Sequence, residues 1–178
     1  SSVFSITATP TPLPTLARRN ALSVTSGGAG TALVVTGTNL LGTTSVTIGG
    51  SPVEFLPLSS TQILVRISSV VTTGLVSVVT PGGSTTSTTA FNHTGVPVTP
   101  TISSITPLQV VEGSEVTILG TNIGSVTNMS LGGITVTRYR VISANSISFV
   151  IEPGMVDGVI SIATYGGAIT SVPIVVVI

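Results

Sequence analysis

His93 is the sole histidine in the sequence. As a general base it needs a nucleophile and an orienting carboxylate beside it. Its sequence neighbours are instead Asn92 and Thr94, next to a connector, and this placement reads as a polar residue exposed between domains. The acidic groups are Glu54, Glu112, Glu115, Glu152 and Asp157. Glu112 with Glu115, and Glu152 with Asp157, are close enough in sequence to suggest one weak calcium site. Neither pair sits in the dense Asp/Asn/Gly loop that such a site uses, so both read as solvated loop charges. The expectation is no catalytic residue, no metal and no cofactor.

Arg138-Tyr139-Arg140 is the remaining cluster. On a strand, period-two alternation places Arg138 and Arg140 on one face and Tyr139 on the other. Two arginines on one face suit an acidic partner or a glycan, or form the solvent side of a half-buried strand. Arg18-Arg19-Asn20 is a second basic spot, too short for a nucleic-acid patch. Asn92-His93-Thr94 and Asn128-Met129-Ser130 match the N-glycosylation pattern, which matters only in a eukaryotic secretory host. Thr85-Thr86-Ser87-Thr88-Thr89 reads as a surface strand and lacks the repeats of an ice-binding array.

These few groups belong to a chain of 178 residues with no lysine, five arginines, five acids and zero formal charge. Charged residues make up 6%. Binding nucleic acid by phosphate neutralisation needs clustered cations, and five scattered arginines do not supply them. With 42% hydrophobic residues the chain has enough apolar surface to fold rather than stay disordered. No apolar run approaches the ~20 residues of a membrane-spanning helix, so membrane insertion is not expected. Val, Ile and Thr contribute 74 residues. Their β-branched side chains are stiff in helices and pack well on pleated sheets, which predicts an all-β chain. Without cysteine, stability has to come from the cores.

The chain repeats itself. Gly30-Thr31-Ala32-Leu33-Val34-Val35-Thr36-Gly37-Thr38-Asn39 aligns with Gly113-Ser114-Glu115-Val116-Thr117-Ile118-Leu119-Gly120-Thr121-Asn122 at an offset of 83 residues. Ser45–Gly50 meets Asn128–Gly133 at the same offset, whereas Thr73–Val76 and Pro81–Ser84 meet Asp157–Ile160 and Tyr165–Ala168 at 84. The repeat divides the chain into an extended Pro-containing arm (1–14), a first sandwich (15–94), a linker (95–100) and a second sandwich (101–178). Strands are expected near 22–25, 31–37, 44–48, 52–57, 61–67, 74–80 and 85–92. In the second unit they fall near 102–105, 114–120, 127–131, 134–142, 145–151, 157–164 and 168–177. Gly49-Gly50, Gly132-Gly133, Gly82-Gly83 and Gly166-Gly167 are read as hairpin turns. The linker prolines restrict their neighbours to extended conformations and set the two units end to end.

Val35-Thr36-Gly37-Thr38-Asn39, Val46-Thr47-Ile48-Gly49-Gly50 and Thr80-Pro81-Gly82-Gly83 together resemble the IPT/TIG domain. Ile118-Leu119-Gly120-Thr121-Asn122, Leu131-Gly132-Gly133 and Glu152-Pro153-Gly154 carry the resemblance in the second copy. It covers residues 14 to 178 and departs from the family pattern at Ile67-Ser68-Ser69, where Pro-Gly is usual. The resemblance implies two tandem immunoglobulin-like β-sandwiches. Family members serve as modules of bacterial surface and secreted proteins, polysaccharide enzymes, receptor ectodomains, some transcription factors and phage structural proteins.

The expected function is therefore non-enzymatic. The charge deficit favours a structural subunit of an extracellular or virion surface assembly, which packs against copies of itself or other structural proteins. The alternative is an adhesin or a module binding a surface glycan or receptor. That reading is disfavoured by two Tyr, four Phe and no Trp, few rings to stack on sugars. Val3, Phe4 and Ile6 in the arm are expected to add a strand to a neighbour's sheet edge, with Pro10, Pro12 and Pro14 as tether. The start Ser1-Ser2 fits either removal of a signal peptide or loss of an initiator methionine, and so either an extracellular surface or a virion.

Overall fold

The computed structural model describes residues 11–177. The arm strand expected over 3–8, with Val3, Phe4 and Ile6, lies outside the described residues.

In the first unit the strands are β1 (Thr15–Leu16), β2 (Ser26–Gly27), β3 (Ala32–Thr38), β4 (Ser45–Ile48) and β5 (Ser51–Pro52). They are followed by β6 (Glu54–Ser59), β7 (Gln62–Arg66), β8 (Gly74–Thr80) and β9 (Gly83–His93). The second unit repeats the set as β10 (Thr101–Thr106), β11 (Gln109–Val110), β12 (Glu115–Thr121), β13 (Val126–Leu131) and β14 (Ile134–Thr135). It closes with β15 (Tyr139–Ser143), β16 (Ser146–Val150), β17 (Gly158–Thr164) and β18 (Gly167–Val176). Each unit is a four-stranded sheet packed on a five-stranded one, in the orders β1-β3-β7-β6 with β2-β9-β8-β4-β5, and β10-β12-β16-β15 with β11-β18-β17-β13-β14. The two copies share register as well as order: Ala32 pairs with Arg66 and Glu115 with Val150, at the offsets the sequence repeat requires.

Alternation builds the cores. Leu33, Val35, Ile63, Val65, Val76 and Phe91 point inward in the first sandwich; Val116, Ile118, Ile147, Phe149, Ile160 and Ile162 fill the second. The repeated Gly-Thr-Asn motif works through contact. Gly37 and Gly120 lie against the carbonyls of Thr15 and Thr101, which leaves no room for a Cβ. The next residues, Thr38 and Thr121, bond across to the Thr15 and Thr101 hydroxyls at 2.7 and 2.8 Å. Asn39 and Asn122 then turn the chain at φ 57° and 54°, a region that asparagine tolerates better than most residues.

The strand expected near 22–25 reduces to an isolated bridge between Leu22 and Val35, ahead of β2. Three further expectations change. The runs 52–57 and 134–142 are each broken, because the chain changes sheets there. β5 and β14 pair with the five-stranded sheets, whereas β6 and β15 pair with the four-stranded ones. Second, Gly49-Gly50 and Gly132-Gly133 do form the turns expected, but the later turns are made by Pro81-Gly82 and Tyr165-Gly166, with Gly83 and Gly167 already paired to Thr80 and Thr164. Third, the units do not simply meet end to end, as shown next.

The junction and the candidate interaction surface

The outward face of β3, β6 and β7 carries Ala32, Val34, Leu56, Leu58 and Leu64. This face should be wet. Instead Leu64 is fully buried and, with Ala32, belongs to the hydrophobic cluster of the second sandwich, flanked by Val34, Leu56 and Leu58. β7 thus reads Ile63-Leu64-Val65, all buried, because its two faces are covered by different domains. What covers the outward face is one end of the second sandwich: the 3-10 turn Ile123–Ser125, the adjacent β15 and the β17–β18 turn.

Polar bonds fix the contact. The Asn122 Oδ1 accepts from the Ala32 amide at 3.2 Å, and the buried Ser125 hydroxyl donates to the Gly30 carbonyl at 2.7 Å. The linker lies along the Gly28–Gly30 turn, with the Val98 amide donating to the Ala29 carbonyl at 2.7 Å. Gly166 and Gly30 touch backbone to backbone beneath the Val98 carbonyl. At the rim the Tyr165 hydroxyl donates to Glu54 Oε1 at 2.7 Å, while Arg66 lies 3.8 Å from the other oxygen of that carboxylate. Donation to Glu54, first, then burial and the Glu54 charge, push the Tyr165 pKa above its usual 10.0; nearby Arg66 opposes the shift.

Of the titratable candidates, Glu112 and Glu152 line one cavity of about 210 Å³. His93 ends β9, its amide donating to the Thr73 hydroxyl at 2.9 Å; it is half-buried rather than exposed, with its Nε2 buried and without a hydrogen-bond partner. Glu152 pairs with Arg138 at 3.6 Å, and Asp157 accepts from the Val176 amide at 2.6 Å. Among the described residues no three His, Cys, Asp or Glu side chains gather as a metal site would require.

Arg138 precedes β15 rather than lying in it, because the chain is still crossing between sheets at Val136–Arg138. Tyr139 packs toward the second core, and Arg140 is exposed on the outward side. Leu56, Pro57 and Leu58 of β6 face Tyr139, Arg140 and Ile142 of β15 across a groove of about 300 Å³. Both strands are sheet edges. The junction residues Leu64, Ser125 and Tyr165 were missed by reading the sequence; the three-residue apolar run in β7 was their available signal.

Residues 20–93 match the IPT/TIG domain model. The first sandwich is an IPT/TIG domain. The second repeats that domain's strand order and register. No curated protein matches the sequence. Among solved structures, this pair of sandwiches is similar to SGBP-B from a xyloglucan utilization locus in Bacteroides uniformis, at 19% identity over 90% of this chain and 48% of that one, TM-score 0.42. It is also similar to the plexin A4 extracellular region, at 16% identity over 92% of this chain and 18% of that one, TM-score 0.45. Titin domains Z1Z2 in complex with telethonin are 16% identical over 93% and 95% of the two chains, TM-score 0.34. The chain spans less than half the length of the first two of these.

Proposed function

We propose that this IPT/TIG tandem, with domains 15–94 and 101–178 joined by linker 95–100, is a non-enzymatic structural subunit of an extracellular or virion surface assembly. It works by packing sandwich faces against protein. The observation that carries the reading is the buried Leu64 on an outward sheet face: in this chain such faces are already used as protein contacts. The 6% charge content supports it, since a subunit with covered faces has no need of charge repulsion to stay dispersed. In this reading Val3, Phe4 and Ile6 pair with a free sheet edge, β6 or β15, of a neighbouring copy.

The test is deletion of residues 1–10. Pro14 is buried and the Leu13 carbonyl accepts from Asn39 Nδ2 at 2.9 Å, so the cut leaves these contacts in place. The truncated chain should keep its thermal transition and lose assembly. Unchanged assembly would remove the arm from the mechanism.

A glycan reading has the groove between β6 and β15 in its favour, with one aromatic ring and one guanidinium at its wall. Titration with soluble β-glucan oligosaccharides tests it: saturable heat lost in Tyr139→Ala supports a glycan site, and no heat in the wild type rejects it.

A further inference from the structure

The first sandwich has an end that corresponds to the one the second buries, with Gly42 in place of Ser125 and so without that hydroxyl; among the described residues only the arm residues Thr11–Leu13 lie against it. The repeat equates Asn39–Gly42 with Asn122–Ser125 and Pro81-Gly82 with Tyr165-Gly166. Both asparagines hold the same left-handed backbone. The entering chain takes the same path in both: the Pro12 carbonyl crosses Gly82 and Leu13 reaches Gly83, as the Val98 carbonyl crosses Gly166 and Thr99 reaches Gly167. The exposed end is the more apolar of the two. Leu41, 64% exposed, stands where the second sandwich has buried Gly124, and Pro81 stands where it has Tyr165. Pro12, Leu41 and Pro81 wall a cavity of about 260 Å³.

The matching seat is exposed in part: its β15 rim, Arg140 and Ile142, looks across the groove at β6, and Ser148 within it is buried. On the second sandwich, the outward face of β12, β15 and β16 corresponds to the face that receives the docking end within the chain. It exposes Leu119, Ile142 and Val150 by 45%, 44% and 43%.

We propose that the occupant of the first sandwich's end is the outward β12-β15-β16 face of a second copy, in a head-to-tail contact that repeats the intrachain junction between molecules. This deepens, and rests on, the reading of the protein as an assembly subunit. A heterologous contact of this kind propagates into a ring or open filament rather than stopping at a dimer. Thr117, Ser148 and Arg140 stand where the first sandwich has Val34, Leu64 and Leu56, so the intermolecular contact is weaker than the intrachain one and reversible.

Sedimentation of the full chain over a concentration series tests this with two variants of exposed residues, Leu41→Asp and Ile142→Asp. The wild type should form species beyond the dimer. Either variant alone should weaken association by about tenfold or more, since a charge then enters the centre of an apolar contact. Mixed, the variants should give a 1:1 heterodimer, because each retains the surface that the other has lost. A monomeric wild type at millimolar concentration overturns the proposal, as does a wild type that stops at the dimer and responds to Leu41→Asp alone, the mark of a symmetric end-to-end pair. If assembly is lost on deleting residues 1–10 but survives both substitutions, this contact fails while the broader reading stands.

Discussion

At the residue scale, Leu64 and Ser148 occupy one position of the repeat, each opposite the third residue of the preceding paired strand, Val34 or Thr117. The leucine is sealed under the second domain, whereas the serine, itself only 3% exposed, lies on a face that leaves Leu119, Ile142 and Val150 exposed around it. Leu64→Ser should therefore uncouple the domains without unfolding either, because the own-core neighbours Ile63 and Val65 are untouched. Truncating a buried leucine costs about 2–5 kcal/mol, and here the loss falls on the junction. Calorimetry should resolve one wild-type transition into two, and small-angle scattering should report a larger radius of gyration. A single unshifted transition would show that Leu64 does not couple the domains. Tyr165 offers a second probe. Its raised pKa means that its bond to Glu54 contributes fully below pH 10 and is lost as pH rises through the raised value. In a Tyr139→Phe background Tyr165 is the sole tyrosine, so absorbance at alkaline pH follows it alone. Glu54→Gln should bring its midpoint down; no movement would break the assigned cause.

At the element scale, strand positions were largely legible because alternation and glycine-marked turns are local. The sheet changes at Val53 and Val136 were not: a residue crossing between sheets still looks apolar and extended, and only pairing partners separate β5 from β6 or β14 from β15. Ser87 shows the same limit. Within a threonine-rich run it reads as surface, yet it is buried and accepts the Val76 amide at 2.9 Å beside the bulge between Leu75 and Ser77. Ser171 does the same for Ile160 at 2.9 Å in the second copy. The glycine turns give a sharper test. A Cβ on Gly132, at φ +55°, would lie 2.8 Å from the Asp157 carbonyl, whereas Gly133, at φ +84°, faces open space. Gly132→Ala should cost about 1–3 kcal/mol in urea unfolding. Gly133→Asn should stay within about 1 kcal/mol of wild type, since asparagine tolerates the left-handed region. Equal losses at both positions would mean that the backbone angle, not the neighbouring strand, governs this turn.

At the scale of the whole molecule, the sequence repeat announced two domains but not their arrangement, because the docking information is spread over positions three strands apart. Once Val34, Leu56, Leu58 and Leu64 are seen on one face, the counterparts Thr117, Arg140 and Ser148 show that the second face is the more polar of the two. The low charge then has a measurable consequence. Among the described residues, the exposed docking end around Asn39, Leu41 and Pro81 has no ionisable side chain lining its cavity, so self-association through it should be driven by apolar burial. Salt screens charge pairs within about 10 Å at 0.1 M and leaves apolar contacts largely intact. Raising sodium chloride from dilute buffer to about half molar should thus change the association constant by less than about threefold. Sulfate at equal ionic strength should strengthen it, because excluded salts favour burial. A steep fall with sodium chloride would instead place Arg138 and Arg140 at the centre of the contact, and would turn attention from the sandwich end to an acidic partner.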